Sequence, residues 1–423
     1  MTEPLIVVLE DAVAGRLTRL TNGRLRFEYD DGYRAIANPT PLSVSMPTAV
    51  RTHPDRVVTP WLWGLLPDND AVLARWARAF HASASPFSLL ATQIGLDCPG
   101  AVRFVKSDHL DDLLKRRGSV IWLTEDDVAG RLRELREDAT SWLGRDFTGQ
   151  FSLAGAQAKT ALLYRNGRWG IPSGARATSH ILKPAVAGFD DHDLNEHLCL
   201  DAAGRAGLVV ARSRVARFGE ESAIIVERYD RRIANGSVLR IHQEDVCQAQ
   251  SVLPSRKYQS QGGPGPGDIV ALLRRSMPPS VARDAIWRFV DALVWNWLIA
   301  GTDAHAKNYS FLLASDQLRL APLYDIASAL PYRVPERNLR LAMKLGNDYR
   351  VVPRRNPWPR VAIELGIDAD STVERVRTLA TTAPDAFAEA ARSPDIVALR
   401  RSLPARLVDL VAARSARCLQ LLD

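Results

Sequence analysis

Apolar positions change their spacing twice along the chain. Up to about residue 105 they come in short runs, "LIVVLED", "GRLRFEYDDGYR" and "PLSVSMP", which read as strands and turns before a helical stretch near "NDAVLARWARAF". Residues 106 to 125, with "DHLDDLLKRRGS", read as a helix and a linking region. From 150, short β-branched or alternating segments resume: "FSLAG", "KTALLY", "RWGIPS" and "SHILKP". A helix follows in "DLNEHLCLDAAGRAG", then strands in "SRVARFG" and "SAIIVERYD", and beyond 240 the pattern is mostly helical. This order predicts an α+β chain with a β-rich N-terminal module (1–105), a linking helix and small β-rich lobe (106–229), and a larger α-helical lobe (230–423). Clefts between lobes of that kind often hold small cofactors.

The sharpest apolar signal is a stripe at i, i+3, i+4, i+7, i+8, i+11 and i+12: Ile286, Phe289, Val290, Leu293, Val294, Trp297 and Leu298. Gly301 is positioned to end that helix. The polar turn "GTDAHAKN" follows, and then "YSFLL" and "LRLAPLYD", joined by "ASDQ", read as a hairpin. A polar turn on so apolar a scaffold is held rigidly, as reactive groups must be. Asp303 and Asn308 stand five apart, and Asp325 lies one hairpin further on. Protein kinases space their catalytic aspartate and two magnesium ligands in this way. Hard Mg²⁺ takes oxygen donors from few protein groups and bridges phosphates. A solvated loop is the bland alternative, and the stripe, the hairpin and Asp325 together outweigh it. His305 and Lys307 either brace the turn or reach phosphate.

Phosphoryl transfer calls for three further parts upstream. "SLAGAQAKT" (152–160) is rich in small residues that permit close backbone approach to phosphates. It is neither a Walker A sequence nor the kinase glycine-rich loop, because Ala158 replaces a glycine and only Gly155 is present; alone it reads as a hairpin turn. Lys183 in "SHILKP" is an ammonium inside an apolar strand, costly unless partnered. Glu196 on the next helix is the candidate partner, with a strand-end lysine reaching solvent as the alternative. Glu227, Arg228 and Tyr229 leave a buried strand for the helical lobe, where peptide groups can read adenine.

Composition adds limits. The 423 residues are 46% hydrophobic and 24% charged, an ordinary globular balance. The apolar start is too short for a secretory segment, and the densest run, "FVDALVWNWLIA", is too short and too polar to span a membrane. Cys98, Cys199, Cys247 and Cys418 have no metal-binding or redox spacing, so buried thiols in a cytoplasmic protein are expected. The net charge of +7 admits a polyanionic partner but is dispersed along the chain. Only seven of the 55 basic residues are lysine, which draws the eye to Lys159, Lys183 and Lys307 as places where a compact ammonium is wanted.

With these parts in place, the chain resembles the HipA family, the serine/threonine kinase toxins of HipBA toxin–antitoxin modules. "SLAGAQAKTALL", "ILKP", "NEHLCL", "VERYDRR", "QEDVCQ", "KYQSQGGPG", "WLIAGTDAHAKNYSF" and "LAPLYDIASA" carry the resemblance in family order between 150 and about 330. It implies a bilobal protein-kinase-like fold that uses ATP and Mg²⁺. Asp303 is then the catalytic aspartate, Asn308 and Asp325 are the metal ligands, and Lys183 is the ATP lysine. Ala154, Gly155, Ala156, Gln157, Ala158 and Lys159 line the phosphates, with Glu227, Arg228 and Tyr229 at the adenine. His305, Ala306, Lys307, Asn308 and Tyr324 complete the pocket, and Ser152 matches the family's autophosphorylated serine. The implied substrate is an aminoacyl-tRNA synthetase, glutamyl-tRNA synthetase first. The implied partners are a HipB-like helix-turn-helix antitoxin and, through it, operator DNA. A small-molecule kinase of the same plan and a non-catalytic corepressor are the competing readings.

Overall fold

The computed structural model describes residues 3–186, 188–234, 237–315 and 317–423. Contacts between residues divide the chain into two compact units: Met1–Pro184 with Arg217–Ser255 and Ser310–Leu318, and Ala185–Ala216 with Arg256–Tyr309 and Arg319–Asp423.

The first unit contains a five-stranded antiparallel sheet in spatial order Thr52–Pro54, Leu25–Tyr29, Ala12–Arg19, Leu5–Leu9, Val102–Val105. Its helices Asp55–Gly64 and Asp70–Ala79 bury Trp61, Leu62, Val72 and Trp76. "PLSVSMP" forms no strand, only a bridge between Ser43 and Met46. A second sheet runs Glu221–Glu227, His180–Pro184, Thr160–Arg165, Arg168–Pro172, Val120–Leu123. Phe151, Leu153 and Ala161 from this part join the hydrophobic cluster of the N-terminal sheet.

Two elements depart from the pattern-based expectation. "FSLAG" is not a strand; it is irregular backbone whose one ladder contact is a parallel bridge between Gly155 and Pro67. Helix Glu125–Glu137 falls beyond the helix and link read at 106–125, in a stretch for which the pattern gave no element. Its signals are ordinary ones: Thr124 and Asp127 form a capping box, and Val128, Leu132 and Leu135 share the buried face.

A buried ion network organises this unit. Arg228 donates to both Asp230 oxygens at 3.0 and 2.8 Å, to Thr178 Oγ1 at 2.9 Å and to the Cys98 carbonyl at 3.0 Å. Arg231 donates to Asp230 Oδ2 at 2.9 Å, Asp97 Oδ1 at 3.0 Å and the Gly100 carbonyl at 2.8 Å. Asp97 also accepts from the Thr178 amide and hydroxyl. Burial pushes the Asp97 carboxyl up; Arg231, Arg228, Arg240 and Thr178 overcome that and hold it at about 2. Each charge is fully desolvated, so the network survives only because every member is paired.

In the second unit, helix Pro279–Leu298 carries the predicted stripe and packs against helices Ala369–Ala391 and Leu403–Leu422. Trp295 stacks on Phe387 with centroids 5.8 Å apart. Arg414 donates to the Trp297 carbonyl at 2.7 Å and to the Val351 carbonyl at 2.9 Å. Helix His192–Arg205 also packs on Ala369–Ala391. All four cysteines are buried free thiols, and no helix among the described residues is long and apolar enough to cross a membrane.

Asp97→Asn is expected to destabilise the protein by about 3–5 kcal/mol at neutral pH, because it leaves Asp230 as the one carboxylate of the network to balance the buried Arg228, Arg231 and Arg240. A carboxyl whose pKa falls on folding stabilises above the usual aspartate range and loses that contribution as pH drops toward about 2. The gap between wild type and variant should therefore close across that acid interval in urea melts; a constant gap refutes the ionic account.

Candidate active site

The polar turn is built by the end of the long helix. The helix stops at Leu298, and Ala300, not Gly301, takes the left-handed conformation (φ 52°) that turns the chain. Gly301 is required for a different reason: a Cβ there would lie 2.4 Å from Asn296 Oδ1. The Gly301 amide donates to the Asn296 carbonyl at 2.7 Å, and the Asn296 side chain turns back to the Ala292 carbonyl at 2.9 Å. Next comes a short 3-10 turn, Ala306–Asn308, and then strand Ser310–Ala314. That strand lies between His242–Asp245 and Gln317–Leu320 in a three-stranded sheet, as the hairpin expectation required; Asp316 in its turn lies outside the described residues.

The second unit brings Asp303, Asn308 and Asp325 together. The Asn308 side-chain amide donates to the backbone carbonyls of Asp303, at 3.1 Å, and Asp325, at 3.4 Å. Asp325 has a left-handed backbone (φ 57°), a conformation aspartate tolerates better than most residues and one that concentrates at functional positions. Beyond it, Ser328 is tied down three ways. Its amide donates to Asn195 Oδ1 at 3.1 Å, its carbonyl accepts from Asn195 Nδ2 at 2.7 Å, and its hydroxyl donates to the Ile299 carbonyl at 2.6 Å.

Asp303 is open to solvent on one side. Burial of the rest of the carboxyl raises it above the ordinary aspartate range. The Tyr258 hydroxyl, which hydrogen-bonds to it, opposes the rise, the neighbouring Asp325 charge adds to it, and Lys257 and His192 oppose it. The Tyr258 ring also meets the His305 ring edge-on at 4.9 Å. Tyr258 and Lys257 were not singled out from the sequence as site residues; Lys257 was nevertheless one of the seven lysines. His305 and Lys307 are both buried, and Tyr324 donates to the Lys307 carbonyl at 2.6 Å, so these residues shape the turn from beneath.

The other candidates belong to the first unit. Lys183 is buried in strand His180–Pro184, opposite Ile224. In segment 154–159, Gly155 takes φ 96°, and its carbonyl accepts from the Asp68 amide at 3.0 Å. Lys159 turns back on the segment, donating to the Ala154 carbonyl at 2.7 Å and sitting 5.0 Å over the Trp142 ring. Ser152 is buried, and its hydroxyl donates to the Leu65 carbonyl. Glu227 is exposed, the Arg228 guanidinium is consumed by the ion network, and the Tyr229 hydroxyl donates to Gln243 at 2.8 Å. Glu196 lies buried on helix His192–Arg205 of the second unit.

A HipA-like C-terminal domain model matches residues 151–387, and a HipA N-terminal domain model matches residues 5–105. The chain belongs to the HipA family. A relative from Sinorhizobium fredii, named "Putative kinase Y4mE", is 32% identical over 90% of this chain and 92% of its own length. The "Serine/threonine-protein kinase toxin HipA" of Shewanella oneidensis is 30% identical over 72% of this chain and 70% of its own. In the solved complex of Shewanella oneidensis HipA with HipB and operator DNA, a matching chain superimposes with a TM-score of 0.84 at 26% identity. That match covers 99% of this chain and 98% of the other. The α+β, kinase-like HipA fold expected from the sequence is therefore the fold of this protein.

Among the described residues no cluster of three or more His, Cys, Asp or Glu side chains is arranged to hold a metal. The Asp325–Asn308 pair is a different donor set, two oxygen-bearing groups of the kind Mg²⁺ accepts when phosphates and water fill its other positions.

Gly301→Ala is expected to cost about 1–3 kcal/mol, since the new methyl meets the Asn296 amide in a packed helix end. Chemical denaturation measures this; a neutral substitution would show that the turn is not held as tightly as its contacts indicate.

Proposed function

We propose that this chain is an ATP- and Mg²⁺-dependent serine/threonine protein kinase, the toxin of a HipBA-type module. The observation that carries the reading is the bracket made by Asn308, whose amide links the backbone of Asp303 to that of Asp325 across the hairpin between them. In this reading the Asp303 carboxylate orients the incoming hydroxyl and takes its proton. Asn308 and Asp325 hold the magnesium through side-chain oxygens. The metal supplies charge neutralisation across the phosphates. Lys183, balanced by Glu196, binds the phosphate chain, and the peptide groups of 154–159 cover it. With its guanidinium occupied, Arg228 contributes only its peptide group at the adenine, alongside Glu227 and Tyr229. His305, Ala306, Lys307 and Tyr324 set the pocket floor.

The resemblance to HipA favours an aminoacyl-tRNA synthetase as substrate, glutamyl-tRNA synthetase first. The Shewanella complex contains HipB and operator DNA, and we extend both partners to this chain. Self-inactivation would fall on Ser152. Its hydroxyl is buried against the Leu65 carbonyl, so phosphorylation requires the segment to leave that seat. The added charge then opposes its return beside ATP.

Asp303→Ala should lower phosphate transfer about 10²–10⁴-fold while ATP binding persists; unchanged turnover on purified synthetases removes the assigned role. Ser152→Ala should stay active on prolonged incubation with ATP, where the wild type fades. A phosphopeptide map placing the modification on another serine refutes that part.

A further inference from the structure

A basic cavity lies wholly within the first unit, on residues to which no part in phosphoryl transfer is assigned above. It encloses about 480 Å³ and is lined by six arginines, Arg103, Arg116, Arg165, Arg176, Arg232 and Arg240, against two acids, Glu10 and Asp11. Such an excess on a concave wall repels itself and concentrates anions. Three of the arginines, Arg103, Arg116 and Arg240, are tied in place by hydrogen bonds, while Arg176 and Arg232 lie exposed at the rim. The Arg103 side chain is 2% exposed and donates to Asp11 Oδ1 at 2.6 Å, and Arg116 donates to Asp11 Oδ2 at 2.6 Å. One carboxylate thus fixes two guanidinium groups.

Arg165 lies over the Trp122 ring at 5.8 Å. Arg240, 9% exposed, is held by the Ala175 carbonyl at 3.2 Å, and Asp97 lies 3.4 Å away. The Nε groups of Arg103 and Arg240 are buried without a hydrogen-bond partner among the described residues. Burial depresses the Arg240 guanidinium, and Arg103 and Arg228 repel it further while Asp97 attracts it. A wall fixed in place with positive charge left over is preorganised for a multiply charged anion, because little ordering remains to be done on binding. Planar guanidinium forks match phosphate oxygens in pairs. Two of the arginines are buried in the wall of a half-open cavity of small-molecule size, which suits a compact ligand better than a nucleic-acid backbone.

We propose that this arginine-lined cavity binds a small molecule carrying two or more linked phosphate groups, at a site separate from the residues assigned to phosphoryl transfer. Inorganic tripolyphosphate is the probe, titrated calorimetrically into the full chain in metal-free buffer. One equivalent should bind. Reversing two of the three exposed wall arginines together, Arg176→Glu with Arg232→Glu, should weaken binding tenfold or more. Lys183→Ala should leave it unchanged. Arg176→Ala with Arg232→Ala is the milder pair, expected to move affinity in the same direction, and thermal melts confirm that each variant is folded.

The proposal fails if no binding occurs, if the reversals leave affinity intact, or if Lys183→Ala abolishes it. It fails equally if a single-stranded RNA dodecamer displaces the probe and loses affinity with the same reversals, which would make the wall a nucleic-acid surface.

Discussion

The first unit hangs on one interaction, the pairing of Asp97 with Arg231 and, through Thr178, with Arg228. Its partners come from remote parts of the chain: the end of the N-terminal module, the approach to strand His180–Pro184, and the segment leaving strand Glu221–Glu227. The Asp97 backbone carbonyl also accepts from the Ser152 amide at 3.0 Å, so the same residue seats the small-residue segment. Desolvating these charges is unfavourable for each alone, and the arrangement persists only as a complete set. Two strands and one loop thereby share a single electrostatic condition.

The second unit solves a different problem, holding like charges near one another. Asp303 and Asp325 repel, yet one amide, that of Asn308, links their backbones, while Tyr258 and Lys257 temper the Asp303 carboxyl. The scaffold beneath is apolar and tightly packed, from Phe289 to Trp297, so the turn has few ways to relax. A carboxyl lifted above its ordinary range on a rigid support suits a proton acceptor.

Much of this was legible in the residues. The period of the stripe from Ile286 to Leu298 fixed the long helix, and the spacing of Asp303, Asn308 and Asp325 survived folding as a spatial cluster. Lys183 stood out because an ammonium is conspicuous in an apolar strand, and it is indeed buried in strand His180–Pro184. Other features lay beyond one-dimensional patterns. Asp97 and Arg231 stand 134 positions apart, and nothing local marks either as buried. "FSLAG" has strand-like composition, but its amides and carbonyls are claimed by loops, including 65–68. Gly301 looked like a helix stop, whereas its lack of a side chain serves Asn296 and Ala300 makes the turn. Tyr258 lies in "KYQSQGGPG", a segment that carries the family resemblance but was given no site role, and only the fold sets it against Asp303.

The seat of Ser152 has a kinetic corollary. Its oxygen faces the Leu65 carbonyl, and the neighbouring backbone is stitched to Asp68 and Asp97. Were Ser152 the phosphate acceptor proposed above, its modification could proceed no faster than those stitches come undone, however quick the reagent. The strength of a few hydrogen bonds to the N-terminal module would then work as a timer, its interval set by Leu65, which holds the reacting hydroxyl, and by Asp68, which touches no reactant.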